Sequence, residues 1–89
     1  MSKTISLQNQ TGLPPWALTD LLVIGRQFHC HVNIRAGKLV IDGKKLLEVI
    51  SLRRCDLSRV EVYLRGDDEQ QALDQIVNSA VSRFIAKRQ

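Results

Sequence analysis

The sequence predicts an α+β fold: an open-faced β-sandwich in which a four-stranded antiparallel sheet is covered on one face by three helices, in the order βαββαβα. Three observations carry this expectation. Four short segments read as strands, and three of them are half-polar, so a single apolar cover suffices for the sheet. The stretches between them place apolar residues at helical spacing, which supplies that cover. The chain has 89 residues, enough for one domain spanning residues 1–89 and towards the small end of the range.

Lys3 to Gln8 alternates, with Ile5 and Leu7 on one side and Thr4, Ser6 and Gln8 on the other, the pattern of a half-buried strand. Asn9-Gln10-Thr11-Gly12 breaks it as a polar loop. Pro14-Pro15 suits the first turn of a helix, where the missing N–H groups would lack partners anyway. From Trp16 to about Gln27, Ala17, Leu18, Leu21, Leu22 and Ile24 recur at helical spacing. Phe28 to Ala36 alternates again, with Cys30, Val32 and Ile34 inward and His29, His31, Asn33 and Arg35 outward. Gly37-Lys38 turns the chain into Leu39-Val40-Ile41, completing a hairpin.

Asp42-Gly43 ends that hairpin. Lys44 to Leu52 reads as a short helix, but Leu46, Leu47, Val49, Ile50 and Leu52 are too many for one narrow stripe, so part of it should stay exposed. Arg59 to Arg65 is the last strand, with Val60, Val62 and Leu64 inward and Glu61 and Tyr63 outward. Gly66-Asp67-Asp68-Glu69 supplies a turn, an N-cap and acids suited to a helix start. Ala72, Leu73, Ile76, Val77, Ala80, Val81 and Phe84 then predict one closing helix, with Lys87 and Arg88 near its C-terminal end.

With 44% hydrophobic residues, an ordered globule is expected rather than a disordered tail. No apolar run reaches the roughly 20 residues that span a bilayer, and the first residues lack a secretory leader pattern, so a cytoplasmic protein with reduced thiols is expected. The net charge of +4 suits an acidic partner surface or nucleic acid, and is also common as a solubility device. Only clustering of the charges separates these readings.

Gly12-Leu13, Lys44 with the apolar segment Leu46 to Leu52, and Gly66-Asp67-Asp68-Glu69-Gln70-Gln71-Ala72-Leu73 occur in an order and spacing similar to the histidine-containing phosphocarrier protein (HPr) of the bacterial phosphoenolpyruvate-dependent sugar phosphotransferase system. The resemblance covers nearly the whole chain and implies an HPr-like fold. It also implies departures from the family's chemistry. The family reads Gly-Leu-His-x-Arg-Pro-Ala, whereas this chain reads Gly12-Leu13-Pro14-Pro15-Trp16-Ala17-Leu18. Pro14 would replace the phospho-accepting histidine and Trp16 the arginine that neutralises the phosphate. Pro14 and Pro15 would also remove donors that hold an anion at a helix start. Lys45 would replace the regulatory serine, and Ser51 is not its equivalent. The resemblance thus implies a pseudo-phosphocarrier with no catalytic residue.

The family docks onto partners through the first helix's start and the middle helix, so Pro15, Trp16, Leu46, Leu47, Ile50, Arg53 and Arg54 form the candidate partner-binding face. Lys45 and Arg26 would extend its basic rim. The plainer reading is that the three aliphatics are core and Trp16 packs over the helix end. His29 and His31, the only imidazoles, are spaced to share one strand face. They could bind a metal or accept phosphate, but no further ligand lies near in sequence and two exposed histidines explain them. Cys30 should be buried and Cys55 lie in a loop, with no CxxC spacing for redox work. Neither a metal nor a cofactor is expected.

Three functions remain to be separated. One is protein docking beside the phosphotransferase system, regulatory or competitive, on an acidic and apolar partner surface. A basic nucleic-acid-binding module is the second, although the positive charges are scattered along the chain. The third is a phosphocarrier or enzyme using a relocated histidine, for which no nucleophile–base pairing is visible.

Overall fold

In the computed structural model, which describes residues 2–86, the strands are β1 (Ser2–Gln8), β2 (His31–Ala36), β3 (Leu39–Asp42) and β4 (Arg59–Arg65), and the helices are α1 (Pro15–Arg26), α2 (Leu46–Ser51) and α3 (Glu69–Val77). Short 3₁₀ turns follow α2 at Leu52–Arg54 and α3 at Ala80–Phe84. The sheet order is β1-β4-β2-β3, every neighbouring pair antiparallel. This is the predicted open-faced α+β sandwich.

Register explains why one face is dry. Ile5 pairs with Val62, which pairs with Ile34, which pairs with Ile41, and all four are buried. Because side chains alternate across a strand, the next row (Thr4, Tyr63, Asn33, Asp42) falls on the other face. Against the apolar rows α1 lays Ala17, Leu18, Leu21, Leu22 and Ile24, α2 contributes Val49, and α3 contributes Ala72 and Ile76.

Three elements depart from their predicted bounds by more than a single residue. The strand expected from Phe28 begins only at His31. Cys30 is buried as expected, but the N–H groups of His29 and Cys30 donate to the Asp68 carboxylate, at 2.7 and 2.8 Å, instead of to a sheet neighbour. The middle helix begins at Leu46 rather than Lys44, with Lys45 in extended conformation at its N-cap.

The closing helix is broken. Its apolar spacing continues to Phe84, yet α3 stops at Val77 because Ser79 turns extended. The Ser79 hydroxyl donates to the Ile76 carbonyl at 2.7 Å and accepts from the Val81 N–H at 3.3 Å, capping a separate 3₁₀ turn. Val81 is buried in the core all the same. After that turn, Leu7 and Ile85 form a bridge, and the Ala86 N–H donates to the Ser6 carbonyl at 2.8 Å, so the chain closes along the edge of β1. Lys87 and Arg88 lie outside the described residues.

Candidate functional site

α1 starts from a loop set by local bonds. Gly12 adopts φ +87°, a conformation that a side chain disfavours. The Asn9 side-chain amide donates to the Gly12 carbonyl at 2.7 Å, and the buried Leu13 donates its N–H to Leu57 at 2.9 Å. Pro14 then sits at the N-cap in extended conformation, with no side-chain cap, and Pro15 opens the helix. Neither proline has an N–H, and that of Ala17 goes to the Pro14 carbonyl at 3.0 Å. Helix starts bind anions through such free donors. This one has few to offer.

Trp16 follows at 39% exposure. Its ring lies 5.6 Å from that of Phe84 at a tilt of 44°, with the Arg83 guanidinium 5.5 Å above it. The plainer sequence reading therefore holds in part: Trp16 does pack down, and what it packs on is the C-terminal 3₁₀ turn. Phe84 and Arg83 are the site neighbours that sequence reasoning missed. No local pattern links residues so far apart along the chain.

α2 leaves its aliphatics outside. Leu46, Leu47 and Ile50 are 49, 81 and 45% exposed, while Val49 and Leu52 carry the packing. Arg53 and Arg54 follow directly and are exposed. Arg53 lines a shallow groove of about 380 Å³ with Thr11, Gly12 and Leu13, which brings the rim of α2 beside the loop that opens α1. Lys45 makes a loose exposed contact with Glu48 at 3.8 Å, worth little against solvent screening. Arg26 does not join this rim: at the far end of α1, its Nε donates to the Lys44 carbonyl at 3.1 Å. Ser51 ends α2, its hydroxyl donating to the Glu48 carbonyl.

The histidines lie elsewhere. His31 is the first residue of β2, whereas His29 lies in the preceding bend, so the two do not share a strand face as expected. Both follow the C-terminal end of α1. That helix has 12 residues, which puts its two ends about 18 Å apart. The sheet gives the same answer. His31 pairs with Arg65 at one end of β4, while the loop before Pro14 is bonded to Ser58 beside its other end. Seven residues of strand separate those ends by about 20 Å. Neither imidazole reaches the opening turn of α1. Among the described residues no group of three or more His, Cys, Asp or Glu side chains could hold a metal, and no helix is long and apolar enough to cross a membrane.

Cys30 is buried beside Asp68, and burial first, then the neighbouring carboxylate, pushes its thiol above the usual range. Such a thiol stays protonated and is a poor nucleophile. Asp68 is held below the ordinary carboxylate range, chiefly by the His29 N–H and also by that of Cys30. Its oxygens are thus occupied in binding backbone rather than arranged for proton transfer. Glu69 likewise accepts from the Gly66 N–H at 3.1 Å. The acidic run serves the architecture.

Strand order, helix cover and the loop–helix start at Gly12–Pro15 define the class of small open-faced α+β sandwiches with βαββαβα order. Over residues 1–81 the chain matches the family model PTS-HPr, described as the PTS HPr component phosphorylation site, and it belongs to that family. It is 26% identical over 77 residues to the phosphocarrier protein HPr of Pseudomonas putida, covering 85% of this chain and 86% of that one. To the HPr of Pseudomonas aeruginosa it is 25% identical over 81 residues, 90% of each. Solved structures agree in fold. HPr of Bacillus anthracis superposes with a TM-score of 0.65 at 17% identity, over 97% of this chain and 96% of the other. HPr-C-His of Thermoanaerobacter tengcongensis gives 0.69 at 23%, over 94% of each.

Proposed function

We infer that this HPr-family chain works by contact rather than by carrying a phosphoryl group. In this reading Pro14 stands at the position of the family's phospho-accepting histidine, Trp16 at that of its phosphate-neutralising arginine, and Lys45 at that of its regulatory serine. The protein is not an enzyme. It acts in the cytoplasm by docking on a protein whose surface is apolar and acidic: a phosphotransferase-system component, a regulator or a metabolic enzyme.

The observation that carries the reading is the state of α2. Three aliphatics that could have been buried stand in solvent, with Arg53 and Arg54 beside them. Exposed apolar patches with a polar rim mark interaction sites, and Arg and Trp are common anchors. Pro15 and Trp16 supply the other margin of the face. The charge favours an acidic partner and speeds encounter with it.

The test is competition. Phosphoryl transfer is reconstituted from phosphoenolpyruvate through the system's first enzyme to a genuine carrier, and this chain is added in excess. The wild type slows transfer, and Leu47→Glu, altering a side chain outside the core, weakens that inhibition about tenfold or more. No effect at large excess, or equal inhibition by both proteins, would sink the docking face as proposed.

A further inference from the structure

The uncovered face of the sheet holds a feature that partner docking through α2 does not use. Carboxylates on the helices and on the loops joining them roughly balance the basic side chains there. The sheet face differs. Arg35, Arg59 and Arg65 share it with Glu61 and Asp42, by the alternation and register of the strands. Glu61 is paired with Arg35, and an Asp42 side-chain oxygen accepts the Lys44 N–H at 2.9 Å. Among the described residues, Arg59 and Arg65 have no acidic partner. Three arginines thus stand against two carboxylates on this face, and the small positive excess is carried by Arg59 and Arg65.

Between those arginines lies Tyr63, the one Phe, Tyr or Trp on the open face among the described residues. It sits on central strand β4, flanked by Thr4 and Asn33. Tyr63, Arg65, His31, Asn33 and Ser2 line a shallow depression of about 360 Å³. Arg65 lies about 7 Å along the strand from Tyr63, and Arg59 about 13 Å in the other direction. An exposed sheet with an aromatic on a central strand and cations on either side is a stacking platform with an electrostatic track. A duplex keeps its bases stacked inside and could not use the ring. A single strand can lay one base on it and its phosphates on the arginines.

We propose that the open face of the sheet binds single-stranded nucleic acid, with one base stacked on Tyr63 and flanking phosphates held by Arg65 and Arg59. One aromatic gives one stacked base, so binding is sequence-tolerant and strongly salt-dependent. This surface lies on the opposite side of the sheet from α2, so the two activities can be separated by mutation.

The test is fluorescence anisotropy with a labelled oligouridylate about ten nucleotides long, within the span of known single-strand sites, titrated from low to physiological salt. The wild type binds, and log affinity falls linearly with log salt. Arg59→Gln and Arg65→Gln each make that slope shallower by about 0.7. Tyr63→Leu, which keeps an apolar strand residue, weakens binding about tenfold at every salt concentration. Val23→Ala, at an exposed position on α1, leaves oligonucleotide binding unchanged. The two exposed arginines carry the test even if Tyr63→Leu unfolds the sheet. No binding at low salt, duplex binding equal to single-strand binding, or uridine monophosphate binding as tightly as the oligonucleotide would each overturn the proposal.

Discussion

Asp68 occupies the N-cap of α3, yet its carboxylate reaches across to the N–H groups of His29 and Cys30. The start of β2 is thereby tied to the start of α3. These bonds favour the ionised form and lower the carboxyl's pKa. A group whose folded pKa is depressed contributes stability above its unfolded value, about 3.9 for Asp, and loses it as pH falls through the folded value. Asp68→Asn should therefore be less stable than wild type from neutral pH down to about 5, with the gap closing under stronger acid. Urea unfolding across that range measures it. A gap that stays constant down to pH 2 would contradict the assignment. Gly66 sits beside this tie with φ +151°, and a Cβ there would lie 2.8 Å from the Cys30 Cα. That approach leaves no room for a side chain.

At the scale of elements, the break after α3 shows what periodicity can and cannot reveal. Ala80, Val81 and Phe84 continue the helical spacing of Ala72 to Val77, and Val81 is indeed buried. Burial at that spacing does not require an unbroken helix, because the Ser79 hydroxyl satisfies groups on both sides of the break. Ser79→Ala should cost about 1 kcal/mol, as loss of a cap does, read as a lower midpoint in urea. An unchanged midpoint would show that packing alone places the turn. Strand β4 was legible to the residue because Val60, Val62 and Leu64 alternate with polar neighbours and pair on both sides. The surplus of aliphatics in α2 correctly announced exposure. Two things were invisible: the Trp16–Phe84 contact, set by how the chain closes, and the diversion of His29 from the strand, set by a carboxylate on another element.

At the scale of the whole molecule, the two ends of α1 and of the sheet are chemically distinct. One end gathers Pro14, Pro15, Trp16, Arg53 and Arg54 beside the exposed face of α2. The other holds both histidines and Asp68. A phosphocarrier reusing the opening turn of α1 would need an imidazole at the first end, and α1 keeps His29 and His31 about 18 Å away. On the reading proposed above, what remains there is a surface for contact with a partner. The most direct measurement is intact-mass spectrometry of the protein after incubation with phosphoenolpyruvate, the system's first enzyme and a genuine carrier. If this chain acts by contact, the carrier gains a phosphoryl group while this chain keeps its unmodified mass. A stable phosphoryl adduct on this chain, mapped to His29 or His31, would contradict it.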